Sequence, residues 1–384
     1  MRVARKTLVV ASLRLAAVLG GTIVFAAAAM AFPATAGAAP VPFLKHFSTV
    51  SDVSSTIPAN GDINPYGIAT VPWTIGGLTG GDTLVSNFND SGNVQGTGTT
   101  IVQISPKGQQ SLFAAIDPSH LPGSCPGGVG LTTALAVLND GYVVVGSLPV
   151  NGAGIPQAGC LIVLNSYGVP VETVAGHGIN GPWDLTGSQF GGFGQLFVTN
   201  VLNGTVAAGG STVNDGTVLR LNVWMPPNGS PPIFFDSQVI ATGFPESLNS
   251  SALVIGPTGV ALGANDTLYV ADTLGNRIAA IPFASFRFFP LTGGGLTLSQ
   301  GGSLNGPLGL TLAPNGDLIA MNSLDGNAVE ITQGGIQVDT LTVDPFATPA
   351  PADGAGDLFG VEIAPGGTGL LFVDDNGAAV GGNS

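Results

Sequence analysis

Short apolar runs recur along the chain, and each is separated from the next by glycine, asparagine, aspartate or proline. Turn residues placed between short runs rich in valine, isoleucine and leucine are typical of the strands of an all-β protein. We find no long segment with the 3.6-residue spacing of an amphipathic helix. The pattern therefore predicts many short strands joined by tight turns.

This strand pattern is repeated. The clearest unit is GPTGVALGANDTLYVADTLGNRIAAIP at residues 256–282, which divides into strand, turn, strand, turn and strand. Residues 306–331, 181–206 and 357–380 give further copies, and two weaker copies precede them. A repeat of about 50 residues with four short strands is typical of a propeller blade. Aligned on their first strands, the six copies place these residues in register: Gly67, Ala134, Asp184, Gly259, Gly309 and Gly360.

One copy also resembles a known repeat. Residues 256–282 are similar to the NHL repeat through Gly259–Ala261, Tyr269–Asp272 and Asn276–Ile278, whereas the other copies keep the strand rhythm and lose the arginine. The resemblance implies a six-bladed β-propeller, which we expect over residues 40–384. The broader group includes protein-interaction modules, lyases and calcium-dependent lactonases, so the resemblance implies no single activity.

The last copy is incomplete, because after Val373 the chain has room for about one more strand before Ser384. The apolar residues Val41–Phe47 lie ahead of the first copy. We expect Val41–Phe47 to pair as a strand with the last blade and close the ring, since closure removes an exposed sheet edge.

Residues 1–39 have the pattern of a signal peptide. Four basic residues are followed by the apolar run Leu15–Ala31 and then by small residues at positions suited to cleavage. An uncleaved membrane anchor is the alternative, although this run is short for a membrane span. We therefore expect a secreted or extracytoplasmic protein, in the periplasm or cell envelope, with no membrane contact after cleavage.

The charge of the chain restricts the classes of partner that we expect it to bind. The chain has 9 Lys and Arg against 23 Asp and Glu, a net charge of −14, and four of the basic residues lie in the signal segment. Nucleic acid and anionic membrane surfaces require clustered cations and are therefore disfavoured. A protein, a glycan or a small ligand remains open as the partner, and we expect a monomer.

Cys125 and Cys160 are the only cysteines. In an exported chain we expect them to form a disulfide, because an oxidising compartment favours it and both lie near one face of the second blade. A metal pair and two free thiols are the alternatives.

Two acidic residues stand out on the predicted channel side of the first strands. Side chains alternate along a strand, so the in-register position and the position two residues later point the same way. We expect the intervening apolar residues to pack between sheets. The channel-side residues are small except for Asp184 and Glu362, on the third and sixth blades. Facing carboxylates can hold a metal or raise each other's pKa, which makes both residues catalytic and metal candidates. The alternative is that Asp184 caps a backbone N–H group and Glu362 binds channel water.

A second set of polar residues ends the second strands, and two loop histidines approach the same face. Asparagine and aspartate satisfy local amides in turns, which is the structural interpretation. A ligand-facing rim is the functional one, since hard cations such as Ca²⁺ take oxygen ligands. The rim candidates are Asn87, Ser147, Asn200, Asp272, Asn322, Asp375, His120 and His177.

Few ionisable residues stand out, so the leading hypothesis is a non-catalytic exported propeller that binds a protein, glycan or small ligand on its loop face. The alternative hypothesis is an enzyme resembling a calcium-dependent lactonase or an amidoglycolate-type lyase, with a metal at the channel mouth. These residues establish no cofactor, and Ca²⁺ is the one that remains open.

Overall fold

The computed structural model describes residues 41–344, 358–375 and 379–382. The predicted signal peptide, residues 1–39, lies outside this range. Within the described part of the chain, no helix is long and apolar enough to span a bilayer. Nearly all regular structure is antiparallel strand, as the turn-punctuated apolar pattern predicts. The first elements of the described part are a 3₁₀ helix, η1 (Leu44–His46), and a polar strand, β1 (Ser51–Ser55).

Five blades are each built from one continuous segment. Blade one contains β2 (Ile63–Thr70), β3 (Thr83–Asn89), β4 (Thr100–Ile104) and β5 (Gln110–Ala115), and η2 (Pro118–His120) follows it. Blade two contains β6 (Leu131–Val137), β7 (Val143–Ser147), β8 (Cys160–Leu164) and β9 (Pro170–Val174). Blade three contains β10 (Pro182–Phe190), β11 (Phe193–Asn200), β12 (Val213–Trp224), β13 (Ile233–Asn249) and β14 (Leu253–Ile255).

Blades four and five are more regular than blade three. Blade four contains β15 (Pro257–Leu262), β16 (Thr267–Asp272), β17 (Arg277–Pro282) and β18 (Leu296–Gln300), with η3 (Ala284–Phe286) between its last two strands. Blade five contains β19 (Pro307–Leu312), β20 (Leu318–Asn322), β21 (Asn327–Ile331) and β22 (Gln337–Thr342).

The remaining sheet, which we call the closing sheet, is composite. It contains β23 (Leu358–Ile363), β24 (Leu370–Asp374), β25 (Ala379–Gly382) and, at its outer edge, β1; η4 (Pro365–Gly367) joins its first two strands. This corrects the expected fold class, a six-bladed propeller closed by a strand at Val41–Phe47. Only five blades are continuous in the chain, and the closing sheet is completed by β1 instead.

Val41–Phe47 has a different role from the one expected. The N–H groups of Phe43 and Leu44 donate to the buried carboxylate of Glu330, at 2.7 and 2.8 Å. Phe43, Leu44 and Phe47 are buried in an apolar cluster with residues of blade five and the closing sheet. Because a side chain satisfies these amides, the segment turns into η1 and does not join a strand ladder.

The first strands form the ring around the axis. β2, β6, β10, β15 and β19 each contact the first strand of the next sheet, and β23 contacts β2. In-register glycines permit this close approach: a Cβ on Gly360 would lie 2.6 Å from the carbonyl oxygen of Tyr66, and one on Gly259 would lie 2.6 Å from the Leu310 nitrogen. These glycines therefore serve packing between neighbouring first strands.

The propeller has an upper and a lower face. The upper face carries the turns between second and third strands and the connections between blades. The lower face carries the turns between first and second strands and those between third and fourth strands. Every first strand thus runs from the upper to the lower face.

Candidate functional site

Aromatic side chains block the upper end of the axis. Tyr66 stacks on Phe359 at a ring-centroid distance of 3.9 Å and on Phe88 at 4.3 Å. It also contacts Trp183, at 5.6 Å, although the two residues lie on blades one and three. Contact between first strands that are not neighbours requires these rings to cross the axis. The stack therefore separates the upper face from the space below it.

A hairpin covers this stack from above. β13 runs past the edge of blade three and turns back into β14, and Ala252–Ile255 are buried in the same apolar cluster as the aromatic rings. The Gln95 side-chain amide donates to the carbonyls of Ser250 and Ser251, at 3.1 and 2.6 Å, and so ties the turn to blade one. We call residues 246–255 the cap.

Below the stack lies an axial cavity of about 240 Å³. Asp184 and Glu362 line it together, as the repeat register predicted, and so do the threonines Thr133, Thr186 and Thr311. The apolar residues expected to pack between sheets also reach its wall, since most of their neighbours along the strands have small side chains. Each of these is 4–6 % exposed: Ile68, Leu135, Leu185, Val260, Leu310 and Val361.

The carboxyl group of Asp184 is held by two backbone amides. Its Oδ1 accepts the N–H of Leu185 at 2.8 Å, and its Oδ2 accepts the N–H of Val260 at 3.0 Å. Burial raises the pKa of Asp184 to about 8; the two N–H bonds oppose this rise, and the negative charge of Glu362 adds to it. Asp184 is therefore an acid that keeps its proton at neutral pH.

The carboxyl group of Glu362 is the freer of the two. Burial raises its pKa to about 7, and no described residue donates a hydrogen bond to it. Glu362 therefore ionises just below the pH at which Asp184 does. Two carboxyl groups with separated pKa values near neutrality can act as a base and an acid in the same reaction.

The cavity does not match a calcium centre. Among the described residues there is no group of three or more His, Cys, Asp and Glu side chains that could hold a metal. Both oxygens of Asp184 already accept N–H donors, which leaves Glu362 as the one unengaged carboxylate in the cavity. Ca²⁺ requires six to eight oxygen ligands, so we derive no step through a metal.

Most of the predicted rim residues are buried. Asn87, Asn200, Asp272 and Asn322 have no exposed surface, and none of them lines the axial cavity. Each is bonded within its surroundings: for example, Asp272 pairs with Arg277 at 2.7 Å. Asp375 is partly buried, and its charge helps to raise the pKa of Tyr66, after the larger effect of burial. Ligand contact by these residues stays a prediction.

The two loop histidines lie outside the cavity. His120 is exposed, and its Nδ1 lies 2.7 Å from the carboxylate of Asp117. His177 is also exposed, in a left-handed conformation with φ of 54°, and lines a separate cleft with Glu172. The structure therefore does not bring either histidine to Asp184.

The predicted disulfide is confirmed. Cys125 and Cys160 are bonded, with 5.3 Å between their Cα atoms. The bond ties the connection before blade two to the third strand of that blade.

One part of the site, the cap, was missed by the sequence analysis. The cap follows no repeat, so its only signal is the apolar run at Ala252–Ile255 in an insertion between copies. Within it, Glu246 is fully buried and accepts a hydrogen bond from Thr205 at 3.1 Å. Burial raises the pKa of Glu246 to about 8.

Comparison with known proteins supports the fold and identifies no family. No family model matches the chain, and no curated protein matches it. A solved structure assigned as a gluconolactonase has a TM-score of 0.50 at 16 % identity, covering 87 % of this chain and 91 % of its own. A luciferin-regenerating enzyme has a TM-score of 0.50 at 13 % identity, covering 87 % and 93 %. Virginiamycin B lyase from Staphylococcus aureus has a TM-score of 0.48 at 13 % identity, covering 88 % and 99 %.

At these identities the similarity concerns the fold and not the activity. The chain is an all-β propeller similar in fold to the gluconolactonase and the luciferin-regenerating enzyme, and membership in the NHL-repeat family is not confirmed.

Proposed function

We propose that the protein is a propeller enzyme that hydrolyses a small uncharged lactone or ester in its axial cavity. The observation that carries this proposal is the pairing of Asp184 and Glu362 in one cavity, with pKa values raised to about 8 and about 7. Pairs of titratable groups whose environments separate their pKa values are typical of acid–base sites. The negative charge of the chain and the acidic cavity favour a substrate without negative charge.

The roles follow from the protonation states. Between about pH 7 and 8, Glu362 is a carboxylate and Asp184 is a neutral acid. Glu362 takes a proton from a water molecule whose oxygen adds to the substrate carbonyl. Asp184 gives its proton to the alkoxide oxygen that leaves. Return of one proton from Glu362 to Asp184 restores the starting state, and the products are a carboxylic acid and an alcohol.

The cavity wall supports a substrate of modest size. Six aliphatic side chains contribute to the wall, and the reduced solvation of the two acids beside them strengthens their electrostatic interactions with a bound substrate. Thr186 lies two residues after Asp184 in β10, and Thr311 lies in β19, the first strand next to the one that carries Glu362. Both line the cavity, and their hydroxyl groups are neutral polar groups available to orient a substrate carbonyl.

A panel of aliphatic lactones and esters tests the proposal, with acid release as the readout. We expect kcat/KM to peak between about pH 7 and 8, because the rate requires ionised Glu362 and protonated Asp184. Glu362→Gln and Asp184→Asn should each lower kcat by about 10²–10⁴-fold. EDTA should leave the rate unchanged. Asp140→Asn, which removes an exposed carboxylate outside the cavity, is the matched control.

Binding without catalysis is the competing function, and the same cavity would serve it. If panel members raise the melting temperature through the cavity and none is hydrolysed, the hydrolase proposal fails and a small-ligand binding protein remains. Loss of activity in EDTA with recovery in Ca²⁺ would also contradict the metal-free mechanism.

A further inference from the structure

The axial cavity opens at the lower face. Its upper end is closed by the stacked rings of Tyr66 and Phe359. Three of its partly exposed lining residues, Leu262, Leu312 and Ile363, lie at the lower ends of first strands. A substrate longer than the cavity therefore extends past the lower ends of these strands.

Blade three is longer than the other sheets at this face. The first strands of the others end three residues after their register positions, as β15 does from Gly259 to Leu262. β10 continues for six residues, from Asp184 to Phe190, and β11 and β12 remain paired along this added length. At about 3.3 Å per residue, the three additional residues extend blade three by about 10 Å beyond the mouth of the cavity.

A groove of about 450 Å³, which we call the aromatic groove, lies between this part of blade three and blade four. Polar side chains such as those of Gln195 and Asn222 line it together with aromatic rings. Recesses of this size that combine aromatic walls with polar groups are typical of sites for small organic molecules. The rings belong to four phenylalanines that are each more than half exposed: Phe190, Phe193, Phe235 and Phe286.

The aromatic groove continues the wall of the axial cavity. Side chains alternate along β10, so Thr186, Ser188 and Phe190 point to the same side. Thr186 lines the cavity, and the other two line the groove. On blade four, Leu262 lines the cavity and Asp266, four residues later, lines the groove. A single molecule is therefore able to occupy both spaces.

Hydrogen bonds hold both walls of the aromatic groove. The Gln195 side chain of blade three donates to the carbonyl of Ser285 at 3.1 Å. Ser285 donates its N–H to Asp266 at 3.0 Å. On the other side of blade three, the Gln189 side chain accepts the N–H of Asn139 at 2.7 Å. The groove is therefore formed before a ligand arrives, which favours affinity because the ligand does not have to order it.

The charged groups around the aromatic groove are mainly acidic. Of the residues that line it, Asp266 alone is charged. Exposed Asp236 lies beside it and accepts a hydrogen bond from the Asn222 side chain at 2.7 Å. Arg220, close to both acids, is buried, and Arg287 is bonded to a backbone carbonyl of its own segment and does not line the groove. The aromatic groove therefore disfavours an anionic ligand.

We infer that the aromatic groove binds an uncharged aryl group of the substrate while the reacting carbonyl lies in the axial cavity. This inference rests on the proposed hydrolase function and adds the substrate class, a lactone or ester that carries the aryl group on a flexible spacer. The spacer spans about 7–13 Å, the distances along β10 from Thr186 to Ser188 and to Phe190. The phenylalanine rings offer edge and face contacts to such a group.

Two γ-lactones that differ in one substituent test this inference, one with a methyl group on the γ-carbon and one with a phenylpropyl group. We expect kcat/KM to be at least about tenfold higher for the phenylpropyl lactone. The difference should lie in KM, because a group far from the reacting carbonyl binds equally in the ground and transition states. A para-carboxyl group on the phenyl ring should cancel the preference.

The variants separate the aromatic groove from the rest of the lower face. F190S/F193S should bring the ratio of the two kcat/KM values close to one, and Phe286→Ser should lower it in part. F288S/F289S is the matched control, because it removes two exposed rings next to Phe286 that do not line the groove, and it should keep the ratio of the parent. All of these side chains are exposed, and melting temperatures check that each variant is folded.

Failure of this inference is distinct from failure of the hydrolase proposal. Hydrolysis of the methyl lactone without a preference for the phenylpropyl lactone, or a preference that survives F190S/F193S, would overturn the inference and leave the hydrolase proposal standing. If neither lactone is hydrolysed, calorimetry with phenylpropyl tetrahydrofuran decides: binding that F190S/F193S weakens about tenfold supports the aryl site, and no binding overturns it. A preference for the carboxylated ring would overturn the uncharged occupant. A dimer that F190S/F193S dissociates, without a preference for the phenylpropyl lactone, would assign the groove to a second copy of the chain.

Discussion

Replacing Glu362 with glutamine should stabilise the protein at alkaline pH and have little effect in mild acid. The carboxyl group is buried in the cavity wall, and its pKa rises from 4.5 to about 7 on folding. Below pH 4.5 it is protonated in both the folded and the unfolded chain. Between these values the unfolded chain releases the proton and the folded chain keeps it, so stability falls as pH rises. Above about pH 7 the group is ionised in both states, and the loss of stability no longer changes with pH.

The size of the effect follows from the pKa shift. A rise of about 2.5 pH units corresponds to about 3 kcal/mol in the free energy of unfolding. Glu362 is partly exposed to the cavity, and water there screens its charge, so we expect a gain of about 1–2 kcal/mol for Glu362→Gln at about pH 8.5. The melting temperature should rise by about 2–6 °C at that pH and by less than about 1 °C at pH 5.

Scanning calorimetry of the parent and the variant at these two pH values gives the measurement. Asp184→Asn is the informative comparison, because both Asp184 oxygens accept N–H donors and an amide nitrogen would face one of them. The Asp184→Asn variant should therefore have a free energy of unfolding about 1–3 kcal/mol lower at pH 5, where Glu362→Gln has little effect on stability. An equal shift for Glu362→Gln at both pH values, or destabilisation at pH 8.5, would refute the assignment of a buried neutral carboxyl group.

Three further predictions concern the scaffold. Cys125→Ser/Cys160→Ser should lower the free energy of unfolding by about 3–4 kcal/mol, because the bond closes a long loop; urea unfolding with and without reductant measures this, and reductant should not affect the variant. Arg277→Leu should lower the free energy of unfolding by about 3–5 kcal/mol, because it leaves the carboxylate of Asp272 buried without its partner. Adding Asp272→Asn should recover part of this stability in thermal melts. No recovery would contradict the ion-pair argument. Glu330→Gln should lower the free energy of unfolding by about 1–2 kcal/mol and speed tryptic cleavage after Lys45, because Val41–Phe47 loses charge-assisted hydrogen bonds. An unchanged cleavage rate would contradict this role of Glu330.

The blade strands could be predicted from sequence because their signals are local. In GVALGANDTLYVAD, the alternation, the turn residues and the β-branched side chains all favour the strand, turn and strand that form β15 and β16. Val41–Phe47 is apolar in the same way, and its conformation depends on Glu330, almost 290 residues away. β1, with the sequence SDVSS, has no apolar face that would identify it as the strand that completes the closing sheet.

The candidate site was predictable only in part. Register alone placed Asp184 and Glu362 around one axis, because equivalent positions of successive repeats meet there. The burial of rim residues such as Asn200 and Asp272 could not be read in the same way. Asn200 accepts a hydrogen bond from the connection before its blade, and Asp272 pairs with Arg277. Their burial is set by tertiary packing, which the local residue pattern does not encode.

The pairing of β1 with β25 sets an order of events for folding. The two strands lie about 330 residues apart, at opposite ends of the propeller sequence. Because a chain is made from its N-terminus, β1 is available first and finds no partner until almost the whole polypeptide has followed. The unsatisfied edges of the growing ring stay open throughout that interval, so completion of the chain, and not synthesis of the early blades, is the step that protects the protein from aggregation and proteolysis.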